Sequence, residues 1–226
     1  MSGYVSYLNQ EPKDSSICLK CPVAKGRLAK CCEHQPFVPS YQVGKIINSG
    51  VLSAKDLLAK KTYSCSPLGL LPLYDPYKGY SGSQPCSFFV SESRTCKIWP
   101  FTGPECSSYF CKDIFGVKEY NEYFKTSDQR LQFDLLVTQM MGLELSIEWS
   151  LLDLGSQHLG RLAKKIVTND SFGKWSLWHR QNPDFLNYYY QSCADLFDNK
   201  QLIQGWVDQE LTLTEKSGLD KSIPST

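Results

Sequence analysis

The sequence predicts a mainly α protein with an irregular, metal-stapled cysteine-rich region and a short β-hairpin. Three observations carry this prediction. Eight of the ten cysteines fall into two groups, 18–32 and 86–111. From Val117 onward the apolar residues recur at helical spacing. Between the two regions, Cys86-Ser-Phe-Phe-Val90 and Thr95-Cys-Lys-Ile-Trp99 are short β-prone runs joined by Ser91-Glu-Ser-Arg94, which is the pattern of a hairpin.

Taken in order, residues 1–17 are polar and read as an extended lead-in. Cys18-Leu-Lys-Cys21 follows, then nine intervening residues and the vicinal pair Cys31-Cys32. A Cys-x2-Cys turn lets two thiolates converge on one metal while backbone N–H groups point at the sulfurs. Adjacent side chains diverge, so Cys31 and Cys32 are expected to serve two sites, or one site and one buried position. From Phe37 to Lys61 the pattern is helical. Ser40 is placed to cap a first short helix bearing Val43, Ile46 and Ile47, which Gly50 breaks. Ser53-Ala-Lys-Asp56 has the form of a capping box and opens a second helix. Residues 62–85 carry Pro67, Pro72, Pro76, Pro85, Gly69, Gly79 and Gly82 between Tyr74, Tyr77 and Tyr80, and read as one long loop. After the hairpin, Pro100, Gly103 and Pro104 force turns that lead to Cys106 and Cys111.

In the second half Phe133, Leu136, Met140, Leu143, Ile147, Leu151 and Leu154 form an apolar stripe from Ser127-Asp128 to Gly155. Helix resumes after Ser156 with Leu159, Leu162 and Ile166. Asn182-Pro183-Asp184 is an N-cap with proline in the first turn, opening a helix with Phe185, Tyr189, Cys193 and Leu196. The segment from Ser217 is expected to fray. The change in composition divides the chain into a cysteine-cluster metal-binding domain, 1–116, and a helical region packed on it, 117–226.

Bulk properties narrow the function. The net charge is +1, and groups such as Lys25-Arg27-Lys30 and Lys164-Lys165 are too sparse for a nucleic-acid footprint. No apolar run approaches the roughly 18 residues of a membrane span. The first residues lack the basic and apolar regions of a secretory signal, so the expected compartment is the reducing cytoplasm. There, clustered thiols bind metal in preference to forming disulfides.

Eight thiols suit two four-coordinate zinc sites, or one [4Fe–4S] cluster with four left for zinc or packing. A zinc ribbon repeats Cys-x2-Cys, whereas the second group here runs Cys-x9-Cys-x9-Cys-x4-Cys. That spacing favours an iron–sulfur cluster. His34 stands two residues past Cys32 and reads as a surface side chain. Cys65 reads as a spare thiol and Cys193 as a core residue. Trp175, Trp178 and His179 with Tyr188, Tyr189 and Tyr190 concentrate aromatic surface, which helix packing explains as well as a pocket does. No candidate acid, base or nucleophile emerges.

The succession Cys18-x2-Cys21, Cys31-Cys32, Cys86-Ser-Phe, Cys96-Lys-Ile-Trp and Gly-Pro-Glu-Cys106 closing on Cys111 resembles the YkgJ-type cysteine-cluster family, described as zinc- or iron-chelating proteins. The resemblance covers about residues 18–111. It implies Cys18, Cys21, Cys31, Cys32, Cys86, Cys96, Cys106 and Cys111 as metal ligands. Trp99 stands where the family has Tyr, Ser87 where it often has Pro, and Gly103 where Arg precedes the proline; the gap between Cys21 and Cys31 is longer. The lost Arg removes a basic side chain suited to an anionic cluster. A similar cysteine set occurs in the larger flagellin lysine N-methylases. The expected function is therefore metal binding. The alternative is an oxidoreductase or protein-modifying enzyme whose cluster supports a pocket in the helical half.

Overall fold

The structure, a computed structural model, describes residues 35–60, 62–72, 86–93, 95–101, 106, 117–148, 152, 178 and 181–216. Within them the chain is mainly helical with a few short strands. Strand β1 (Val38–Pro39) leads into helix α1 (Ser40–Asn48), followed by α2 (Ala54–Leu58), β2 (Tyr63–Ser66) and β3 (Gly69–Pro72). Strands β4 (Phe89–Val90) and β5 (Thr95–Cys96) come next, then a 3-10 turn at Trp99–Phe101. Helices α3 (Val117–Glu144), α4 (Pro183–Asp198) and α5 (Lys200–Lys216) complete the order.

Local chemistry accounts for the helix ends. At α2 the Ser53 N–H donates to Asp56 Oδ2 at 2.8 Å and the Asp56 N–H returns a 3.2 Å bond to Ser53 Oγ, the expected reciprocal box. At α4 the Asp184 N–H donates to Asn182 Oδ1 at 2.9 Å, with Pro183 filling a position that needs no donor. Ser40 departs from expectation. Pro39 occupies the cap position, and Ser40 is the first helical residue, its N–H donating to the Leu68 carbonyl at 2.8 Å. The β2–β3 turn, and not a side chain, satisfies that donor.

The segment 63–72 is not loop. It is a hairpin, β2–β3, with Tyr63 opposite Pro72 and Ser66 opposite Gly69; β1 adds on the far side of β3, giving the order β1-β3-β2. Pro67 occupies the turn, and Pro72 ends its strand, where a missing N–H costs little. Gly69 has φ +131°, and a Cβ there would lie 2.0 Å from the Val38 carbonyl oxygen, so only glycine lets β1 approach. The turn carbonyls are all claimed: Ser66 O by the Tyr190 hydroxyl at 2.9 Å, Pro67 O by the Tyr189 hydroxyl at 2.8 Å, and Leu68 O by Ser40. Two consecutive tyrosines of α4 thus hold a turn more than a hundred positions away. This allows a polar turn to be buried, because every acceptor has its donor.

Helix α4 is the hub of the main core. It packs on α1 at Gly44, where a Cβ would fall 1.9 Å from the Tyr190 carbonyl oxygen and 2.8 Å from Ala194 Cβ. Leu186, Tyr189, Tyr190, Cys193, Ala194 and Phe197 are its buried positions. The core draws equally on Val43, Ile46 and Leu57 from the first half and on Ile203 and Val207 from α5. Each such side chain contributes about 1.5–3 kcal/mol when fully buried. A smaller cluster joins Phe37, Leu68, Leu71 and Leu152.

Of the expected stripe, Phe133 is fully buried, Leu136, Met140 and Ile147 pack against the core, and Leu143 is 41% exposed; Val137 and Met141 are buried beside them. Helix α3 stops at Glu144 where continuity to Gly155 was expected. Ser146 adopts φ 61°, the Ile147 N–H bonds Gly142 O at 2.8 Å and the Ser146 N–H bonds Leu143 O at 2.9 Å. This pair of bonds is how a left-handed residue closes a helix, and Ile147 turns back onto the core as such motifs favour. Leu151, Leu154 and the helix expected after Ser156 lie outside the described residues.

Candidate metal centre

Of the eight expected ligands, Cys86, Cys96 and Cys106 are described; Cys18, Cys21, Cys31, Cys32 and Cys111, like His34, lie outside the described residues. Cys86 is buried, whereas Cys96 and Cys106 are half-buried. Cys96 lies on β5, and Cys86 lies three residues before β4 of the same hairpin. Phe89 stands directly opposite Cys96, the Phe89 N–H donates to Cys86 O at 2.9 Å, and the Lys97 N–H donates to Phe88 O at 2.8 Å. Among the described residues, no three Cys, His, Asp or Glu side chains gather as a metal site.

The Cys86 arm is held by its successor. The Ser87 N–H donates to Gln35 Oε1 at 3.0 Å, the Ser87 carbonyl accepts from Lys60 Nζ at 2.9 Å, and the Ser87 and Thr62 hydroxyls bond each other. The Ser87 N–H is needed for this contact, since a proline at that position would have no donor for Gln35. Sequence reasoning missed Gln35, Lys60 and Thr62. They are ordinary polar residues whose role depends on a partner strand 25 to 52 positions away, and no local signal marks them.

Two of the described thiols lie deep in the core. Burial pushes the Cys65 thiol up to about 12, with Tyr190 pulling weakly in the other direction. Burial likewise pushes Cys193 up to about 11, against bonds with Ser40 and Tyr189. Both side chains are buried in the core. The Cys86 surroundings differ in kind: a half-buried lysine stands beside it and Lys97 lies exposed on the same hairpin.

The aromatic concentration in the second half is largely interior. Trp178 meets Tyr189 edge-on at 5.0 Å and Phe185 at 5.5 Å, and Trp178, Tyr189 and Tyr190 are buried. Tyr188 alone of the described members points outward, at 69% exposure. Trp175, His179 and the tyrosines at 74, 77 and 80 lie outside the described residues. A second polar constellation joins α1 and α3: the Tyr41 hydroxyl reaches Asp134, whose other oxygen lies 3.5 Å from Arg130 Nε. Tyr41 stacks on Phe197 at 3.8 Å, so this group is closed over by the core.

Among the described residues no helix is long and apolar enough to cross a membrane. No protein-family model, curated protein or solved structure matches the chain.

Proposed function

We propose that the protein binds a metal centre through Cys18, Cys21, Cys31, Cys32, Cys86, Cys96, Cys106 and Cys111. The centre is an iron–sulfur cluster of the [4Fe–4S] type or zinc, and the second-group spacing favours iron and sulfide. The observation that carries the reading is the ordered set of eight clustered thiols, one of them on β5 of a short hairpin and another three residues before β4. Two further cysteines are withdrawn into the core with thiols held protonated, which supports a division between ligands and bystanders. A hairpin of two residues per strand has little stability in isolation, and metal–thiolate bonds at both arms would supply it. Such a centre works in a reducing compartment, where its thiols remain available.

The test is metal analysis of protein purified without oxygen, with iron, acid-labile sulfide and zinc measured beside the visible spectrum. Brown protein with iron and sulfide, or colourless protein with stoichiometric zinc, is the expected result. Disulfides throughout and no metal would overturn the proposal.

A further inference from the structure

We draw no further inference here: the strongest candidate, the outer face of α4 where the exposed rings of Phe185 and Tyr188 lie between Asp184 and Asp195, is an unpartnered aromatic and acidic face, and nothing among the described residues shows what covers it.

Discussion

The Tyr41 phenol donates a 2.6 Å hydrogen bond to Oδ1 of Asp134, tying α1 to α3 across 93 positions. Burial raises the Asp134 pKa above 3.8, and the Arg130 charge and the Tyr41 bond recover only part of the shift. A raised carboxyl pKa means the folded state holds its proton longer than the unfolded state. That contribution to stability is complete below about 3.8 and is lost as pH rises through the folded-state pKa. Urea unfolding of the natural chain and Asp134→Asn across this range should therefore converge on acidification and separate above it. Tyr41→Phe should cost about 1–3 kcal/mol, because it strips a buried acceptor of its donor.

Gly44 sets the distance between α1 and α4. Gly44→Ala places a methyl against backbone that no rotamer change can move, since its nearest neighbour is the Tyr190 carbonyl oxygen at 1.9 Å. Destabilisation of about 3 kcal/mol is expected even though alanine favours helix. Gly205→Ala in α5 meets nothing within 4 Å and should stabilise by about 0.5–1 kcal/mol. Thermal melts of the two variants should shift in opposite directions.

Ser146 carries a left-handed conformation that costs a side chain about 1 kcal/mol. Ser146→Gly should recover a good part of this, and Ser146→Val should lose more than serine does. The order Gly, Ser, Val in denaturant midpoint checks the helix-ending geometry at α3. Equal midpoints for all three would contradict it.

The thiols divide sharply in expected behaviour. Cys86→Ser or Cys96→Ser should lower bound metal and loosen the hairpin, whereas Cys65→Ser and Cys193→Ser should leave metal content unchanged. In the folded chain at pH 8, Cys65 and Cys193 should resist iodoacetamide, because at about 12 and 11 their pKa values leave far below one per cent thiolate. Mass spectrometry after alkylation, native and denatured, reads this directly. Metal loss in Cys65→Ser equal to that in Cys86→Ser would place the ligand set elsewhere.

What was legible in the sequence was what the chain decides locally. Ser53 with Asp56, and Asn182 before Pro183, mark helix starts because the bonds they make span two or three residues. The Phe89–Cys96 hairpin was legible for the same reason. The β2–β3 hairpin was not. Pro67 and Gly69 read as loop, and Tyr63-Ser-Cys-Ser carries no clean alternation, because its polar groups are buried against partners far along the chain. The α3 stripe was legible in Phe133, Leu136, Met140 and Ile147, which lie in or against the core, but helix periodicity did not exclude Leu143, which is exposed, or point to Val137 and Met141, which are buried. Lys60 offered no signal at all, since a lysine after a short helix is ordinary until a strand arrives beside it.

The paired tyrosines of α4 also impose an order of events during synthesis. Tyr189 and Tyr190 close the Ser66–Pro67 turn from 122 and 124 positions downstream. A ribosome adding about 5–20 residues per second leaves that turn without its donors for roughly ten seconds. Through this interval α1 also lacks the helix it packs on. Burial of that turn is therefore completed only on the arrival of α4.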